Sequence, residues 1–267
     1  MRNLFRGSMA NTAAVLSLAA VSMWGQTARI PRMPDGHPNL NGIWQVMNTA
    51  DWDLEAHAAG PSLVVDLGAE GSEPGGLSVV EGGTIPYLPA ALEKKKQNFA
   101  SRLTADPEIK CYLPGVPRAT YLPFPFQIFQ SASAITIAYE YDSAFRNLYL
   151  KDPGPAPADF WMGQSVAHWD HDTLVVVVTG LVERTWLDRA GDFHSNELKV
   201  TERYTPVNEH LINYEATIED PKVFSRPWKI SMPLYKHEEK NAQLLEFKCV
   251  EFVEDLLYGK YKKEPKK

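Results

Sequence analysis

The second half of the chain alternates apolar and other residues, and this period of two constrains the fold more than any other feature. In "AITIAYEY", Ile135, Ile137, Tyr139 and Tyr141 fall on one face, and the residues between them fall on the other. Successive side chains of a β-strand point to opposite faces of its sheet, so this alternation predicts a strand with one buried face. The pattern recurs from Gln127 onward.

Tight turns separate two pairs of these runs. "GQSVAHW" and "DTLVVVVTGL" flank Asp170–Asp172, and "LKVTERY" and "HLINYEATI" flank a turn around Asn208–Glu209. The runs "WKISMPLY" and "LLEFKCVEF", and the earlier runs "GIWQV" and "PSLVVDL", extend the set. About ten short strands with tight turns predict an antiparallel barrel or sandwich.

A single segment, which precedes the strands of the second half of the chain, predicts a helix. "PAALEKKKQNFASRL", at 89–103, begins with Pro and continues with good helix formers. Its apolar residues Leu92, Phe99 and Leu103 fit a helical stripe loosely. We therefore expect an all-β fold, an antiparallel barrel with one decorating helix.

The N-terminus has the pattern of an export signal. Arg2 and Arg6 precede the apolar run Ala13–Trp24, in which Ala20–Ser22 offers small residues for cleavage. The run is short for a membrane span, so we predict a secreted or periplasmic protein with no span after signal cleavage. The alternative is a protein anchored to the membrane by an uncleaved signal. The predicted divisions are a signal peptide at 1–28, a single barrel domain at 29–258 and a Lys-rich tail at 259–267.

Charge and motifs exclude several function classes. The net charge of −6 argues against a nucleic-acid partner, because phosphate binding needs a concentrated basic surface. The chain has neither a Gly-x-Gly-x-x-Gly after a strand nor a phosphate-binding loop, which disfavours nucleotide cofactors. "HWDHD" (168–172) matches no familiar zinc signature, and Asp is ordinary at a hairpin tip. We therefore predict neither a cofactor nor a metal.

Two cysteines, Cys111 and Cys249, allow one intramolecular bridge. In an oxidising compartment the pair would join a mid-chain loop to a strand near the C-terminus. The alternative is two independent buried thiols.

Several sequence blocks resemble known families. "NLNGIW" is similar to the Gly-x-Trp opening of lipocalin-like (calycin) barrels, in which the Trp closes one end and the other end admits an apolar ligand; here these residues are Gly42 and Trp44. Five further blocks resemble a large, mostly uncharacterised family of secreted proteins of soil and marine bacteria: "DPEIKCYLPGVPRATYLPFPFQIFQ", "WMGQSVAHWDHDTLVVVVTGL", "TWLDRAGDFHSNELKVTERY", "EDPKVFSRPW" and "LLEFKCVE". These resemblances imply a secreted, lipocalin-like β-barrel. One departure is His171, where that family usually has Gly, which weakens a catalytic role for His171.

Glu202 is the most informative candidate for chemistry. By strand alternation it shares a face with Val200 and Tyr204. A carboxylate on an apolar face is costly unless it is paired, or has a raised pKa and acts as an acid or base. The alternative to catalysis is a buried ion pair with an arginine such as Arg146 or Arg184.

Four other polar residues can be assigned roles in a reaction in which Glu202 takes part. Glu202 would be the base or acid, His194 a proton shuttle and Asp188 its orienter. Arg146 or Tyr139 would stabilise developing negative charge. The alternative for His194 is an exposed or helix-capping side chain.

Two functions follow from a barrel with an aromatic-lined cup that takes a small apolar or aromatic molecule. The first is a cofactor-independent acid–base enzyme, an isomerase, lyase, hydratase or cyclase. The second is a carrier in which the same polar groups only orient the ligand. The enzyme is favoured, because Glu202 and its loop are more elaborate than a passive cup needs.

Overall fold

A closed barrel of nine strands forms the body of the computed structural model, which describes residues 30–61, 72–253 and 256. Strands adjacent in sequence pair with one another, and the first strand pairs with the last to close the barrel. The strands are β1 Gly42–Val46, β2 Phe126–Gln130, β3 Ile135–Tyr139, β4 Phe145–Tyr149, β5 Gln164–Asp170, β6 Thr173–Thr179, β7 Lys199–Pro206, β8 Leu211–Glu219 and β9 Trp228–Lys236.

One pairing departs from the predicted antiparallel barrel. β4 and β5 run parallel and pair at Leu148↔Ser165 and Tyr149↔Val166, whereas every other neighbouring pair is antiparallel. The cause is the Pro-rich connection 150–163, which returns the chain to the end of the barrel where β4 began. Parallel strands need such a crossover, whereas a two-residue hairpin makes them antiparallel.

The predicted strands are mostly present. The hairpins β5–β6 and β7–β8 form around the predicted turns. The prediction of a strand at "LLEFKCVEF" is wrong, because residues 244–250 have no regular structure. The pairing of β1 with β9 leaves the barrel no free edge for another strand. "PSLVVDL" (61–67) lies almost entirely outside the described residues, as do the predicted signal peptide and Lys-rich tail.

The predicted helix is present as α1, Pro89–Ala105, and a single helical turn, α2, spans Arg118–Tyr121. The apolar stripe of α1 does not face the barrel, since Leu92, Phe99 and Leu103 are 40%, 45% and 44% exposed. Within the described residues, no helix has the length and apolar character needed to cross a bilayer.

Polar contacts attach α1 to the rest of the molecule. Asn98 Nδ2 donates to the carbonyl of Gly191 at 3.0 Å, and the ammonium of Lys95 lies 3.7 Å from Asp192 Oδ2. Arg102 pairs with Glu73 at 3.0 Å. Charge and hydrogen bonds therefore position this helix more than an apolar face does.

The two ends of the barrel differ. At the end where β1 begins, strands are joined by short turns at 131–134, 171–172 and 207–210, and the long connections 47–125 and 180–198 lie at the other end. Trp44 lies near the short-turn end, where it is buried and its Nε1 donates to the carbonyl of Leu40 at 2.9 Å. Long loops on a rigid scaffold commonly carry function, which directs attention to the other end.

Replacement of Gly42 tests the start of β1. Gly42 has a φ of +147°, and a Cβ there would lie 2.6 Å from Cε of Lys236, whose ammonium lies over the Trp44 ring. Gly82 has a φ of +84° with open space around it, so Gly82→Ala reports backbone strain alone. We expect Gly42→Ala to lower the free energy of unfolding by about 2 kcal/mol and Gly82→Ala by about 1 kcal/mol. Urea denaturation measures both variants, and equal losses would contradict the expectation that the close approach to the Lys236 side chain adds to the backbone strain at residue 42.

Candidate functional site

Glu202 lies inside the barrel and has a full set of hydrogen-bond partners. Its Oε2 accepts from Arg146 Nη2 at 2.6 Å. Its Oε1 accepts from the hydroxyls of Tyr204 and Tyr214 at 3.0 and 2.9 Å. All four side chains are buried. A buried carboxylate held in this way is a satisfied part of the core.

The guanidinium of Arg146 is also saturated. It donates to the hydroxyl of Tyr139 at 2.9 Å and to Ser165 Oγ at 3.0 and 3.3 Å. Burial acts to lower the pKa of Arg146, but the charge of Glu202, the neighbouring tyrosines and the hydrogen bond to Glu202 together outweigh burial and raise the pKa, so the arginine stays charged. Of the two sequence interpretations of Glu202, the ion pair with Arg146 is observed, and its action as an acid or base stays a prediction.

His194 and Asp188 lie apart from this network, in the loop 180–198. His194 is buried, not exposed, and burial lowers its pKa, which favours the neutral ring. Its Nδ1 lies 2.8 Å from the carbonyl of Ser195, which can only accept, so Nδ1 carries the proton. Its Nε2 then accepts from the hydroxyl of Thr185 at 2.6 Å.

Asp188 does not orient His194, which corrects that part of the predicted catalytic group. Its carboxylate accepts instead from the backbone N–H groups of Leu54 at 2.9 Å and Asp192 at 3.0 Å. Burial and the neighbouring Asp192 raise the pKa of Asp188 well above its usual range. Through its hydrogen bond with Leu54, Asp188 links the loop 180–198 to the long connection 47–125.

Three carboxylates meet beside α1. Oxygen atoms of Asp53, Asp188 and Asp192 lie within 4.8 Å of one another. The ammonium of Lys95 lies next to Asp192, whose other oxygen accepts from the hydroxyl of Tyr87 at 2.7 Å. Lys95 thus supplies a positive charge to the group.

The "HWDHD" hairpin forms surface ion pairs. Asp170 pairs with Arg203 at 2.9 Å, and Asp172 pairs with Arg32 at 2.7 Å. His171 occupies the turn tip with a φ of +55°. These contacts fit ordinary turn chemistry.

Another charge cluster lies among the long loops. We call it the Arg118 cluster, and its members are Asp51, Asp106, Glu108, Arg118 and Arg189. Arg118 donates to Asp106 at 2.9 and 3.1 Å, to Glu108 at 2.7 Å and to Asp51 at 2.9 Å. Arg189 donates to both oxygens of Glu108 at 2.8 and 3.0 Å. One arginine thereby ties together three acidic side chains from the long connection 47–125.

The Arg118 cluster holds three carboxylates and two guanidinium groups. Burial, together with the charge of Glu108, raises the pKa of Asp51 from 3.8 to about 6. Burial also acts to raise the pKa of Glu108, but Arg118 and Arg189 outweigh it and the pKa is lowered. The raised pKa of Asp51 means that mild acidification favours its protonation, which would leave two carboxylates facing two guanidinium groups.

A cleft of about 550 Å³ lies against the Arg118 cluster. None of its described lining residues belongs to a strand, so it lies outside the barrel rather than in the predicted cup. Asp106, Glu108 and Arg189 reach it from the cluster. Most of the remaining lining is apolar or aromatic: Trp52, Leu103, Ile109, Phe124, Tyr141, Phe247, Val250, Phe252 and Val253.

The C-terminal segment forms one side of this cleft. The predicted Cys111–Cys249 disulfide is present, with a Cα–Cα distance of 5.6 Å, and it attaches the segment beside Glu108. Phe247 packs against Phe124 and Tyr141 with ring centroids 5.0 and 4.9 Å apart. The segment predicted as a strand is thus a wall of a cavity.

The sequence interpretation missed the Arg118 cluster. Arg118 lies in a Pro-rich stretch that gives no periodic pattern, and its three acidic partners lie at separate positions along a long connection. The predicted disulfide was the one usable signal, because it places Cys249 next to this stretch.

No family model, no curated protein and no solved structure matches this chain. The resemblance to secreted bacterial proteins stays a prediction, and the function has to be argued from the geometry above.

Removal of the Glu202 charge tests the interior network. Glu202→Gln leaves the Arg146 charge buried without a carboxylate, so we expect the free energy of unfolding to fall by about 3–5 kcal/mol. Glu219→Gln, which breaks an exposed pair with Lys199 on neighbouring strands, should cost less than about 1 kcal/mol. Urea denaturation compares the two variants, and a Glu202→Gln loss as small as that of Glu219→Gln would contradict the network.

Proposed function

We propose that the protein binds a small, neutral apolar or aromatic molecule in the cleft beside the Arg118 cluster. The observation that carries this proposal is an aromatic-lined cavity of about 550 Å³ with a few polar groups on one side. Cavities of this size and lining are the usual sites for small ligands.

Two of the three described cationic side chains that line the cleft are paired, which supports a neutral ligand; the third, Lys248, is exposed on the C-terminal segment. Arg102 pairs with Glu73 at 3.0 Å, and Arg189 pairs with Glu108 at 2.8 Å. A charged ligand would have to compete with these partners, whereas a neutral one can leave both pairs intact. Apolar contact with Phe124 and Phe247 then supplies most of the affinity.

This proposal corresponds to the carrier rather than the enzyme. The cleft offers surfaces for holding a molecule, and the groups predicted for catalysis do not line it. We extend the proposal to a secreted or periplasmic location, which the export-signal pattern and the disulfide support.

Titration with a neutral fluorescent aromatic, N-phenylnaphthylamine, tests the cleft. We expect Phe247→Ala to weaken binding about tenfold, because the C-terminal wall of the cleft loses an aromatic contact with the ligand. Phe129→Ala is the matched control, since Phe129 is half-exposed on β2 and does not line the cleft. Binding that Phe247→Ala leaves unchanged, or that both variants weaken equally, would overturn the assignment.

A second candidate function keeps the acid–base enzyme. Its support is a smaller cavity of about 170 Å³ beside the parallel pairing of β4 and β5, lined in part by Arg146 and Ser165. Both residues belong to the hydrogen-bond network of Glu202. A small polar substrate entering there would meet Arg146 first, with Glu202 behind it as the acid or base and Tyr139 beside it.

A metabolite screen with purified protein tests this second candidate. We expect isomerisation, elimination, hydration or cyclisation of a screened compound to be lost in Glu202→Gln and reduced in Tyr214→Phe, which removes one hydrogen bond to Glu202. Circular dichroism of both variants confirms that they are folded. Turnover that survives in a folded Glu202→Gln protein would exclude Glu202 as the acid or base.

A further inference from the structure

We propose that the Cys111–Cys249 disulfide switches the cleft between a ligand-binding form and a form that does not bind. The proposal rests on the proposed function of the cleft and adds its regulation. The oxidised chain holds the C-terminal wall in place, and the reduced chain releases it.

The first observation is the composition of the cleft. One wall comes from the C-terminal segment, which contributes Phe247, Val250 and Phe252. The facing side comes from the loops that precede β2 and follow β3, and includes Ile109 and Tyr141. Removal of the segment would therefore leave half a cavity, and an apolar ligand would keep contacts on one side only.

The second observation is that the segment has few other attachments among the described residues. Phe247 packs against Phe124 and Tyr141, and two backbone N–H groups of the segment donate to the facing loops. The Leu245 N–H donates to Glu140 Oε2 at 2.7 Å, and the Phe252 N–H donates to the Ile109 carbonyl at 2.9 Å. Several of its apolar side chains stay exposed, among them Leu245 at 65% and Val250 at 51%. Apolar side chains stabilise a contact in proportion to the area they bury, so the covalent bond is the principal attachment.

The third observation is that the barrel closes without this segment. β1 pairs with β9, and the segment follows β9 along the chain. On the other side of the disulfide, the neighbouring Glu108 is held by Arg118 and Arg189. Reduction should therefore free the wall and leave both the barrel and the Arg118 cluster folded.

The chemical step is thiol–disulfide exchange with a dithiol reductant. One thiolate attacks a sulfur of the Cys111–Cys249 bond to form a mixed disulfide and release one cysteine thiolate. The second thiol of the reductant then displaces the other cysteine, so the protein gains two thiols and the reductant becomes a disulfide. An oxidant that carries a disulfide reverses the step. A chain synthesised in a reducing compartment would therefore form the complete cleft only after export to an oxidising one.

Ligand binding must in turn affect the reduction of the disulfide. Cys249 lines the cleft and both cysteines are only half-buried, so a bound molecule covers the disulfide. Coupling between two sites is reciprocal at equilibrium, so a ligand that binds the oxidised form more tightly must shift the thiol–disulfide equilibrium toward the disulfide.

The experiment compares oxidised protein, protein reduced with dithiothreitol, and the Cys111→Ser/Cys249→Ser double variant, each titrated with N-phenylnaphthylamine. We expect the reduced and double-variant proteins to bind at least about tenfold more weakly than the oxidised protein, because the wall is no longer pre-organised. Dithiothreitol added to the double variant controls for effects of the reductant on the probe. Equal affinity in all three proteins would overturn the proposal.

Hydrogen exchange read by mass spectrometry gives a second, ligand-free measurement. Reduction should speed exchange in residues 244–253 and leave β1 and β9 protected. If the oxidised protein does not bind the probe, the proposed function fails, and this exchange result still decides whether the wall is released. Unchanged exchange at 244–253, or loss of protection throughout the barrel, would overturn the switch.

Discussion

The buried guanidinium of Arg118 is the contact on which the long-loop end of the molecule depends. It joins Asp51, which follows β1, to Asp106 and Glu108, which follow α1. Without it, the three buried carboxylates would be left with Arg189, which pairs with Asp51 and Glu108, and their repulsion would oppose the meeting of these loops. Glu108 passes the connection on to Arg189, and the same stretch carries the disulfide. The charged side of the cleft and the attachment point of its C-terminal wall therefore both lie next to Arg118.

Two of the buried polar networks have different roles in the fold. Inside the barrel, Glu202 and Arg146 satisfy each other with tyrosine and serine hydroxyls, which gives the core a fixed set of partners. Among the loops, the Arg118 cluster is also paired, and several of its members reach the cavity of about 550 Å³, whereas Arg146 and Ser165 reach the smaller cavity of about 170 Å³. A ligand can approach the second network without breaking the barrel, which is why the proposed site lies outside it.

The sequence predicted local features far better than it predicted the site. Period-two patterns around Ile137 and Glu202 located strands and inward faces, since the pattern reports burial directly. The pairing of Cys111 with Cys249 followed from counting. The parallel β4–β5 pairing and the Arg118 cluster were not predicted. The first depends on the path of the Pro-rich connection 150–163 and the second on the path of the long connection 47–125, and neither path is set by a periodic sequence pattern. For Glu202, the position of a carboxylate on an apolar face predicted that the side chain is buried. It did not by itself distinguish an ion pair from an acid or base, because that depends on the partners of the carboxylate.

The most direct measurement is a crystal structure of the oxidised protein with bound N-phenylnaphthylamine. Ligand density between Phe247 and Ile109, with the Arg189–Glu108 pair intact beside it, is the predicted result. Density inside the barrel in contact with Glu202 would contradict the central claim that ligands bind outside the barrel.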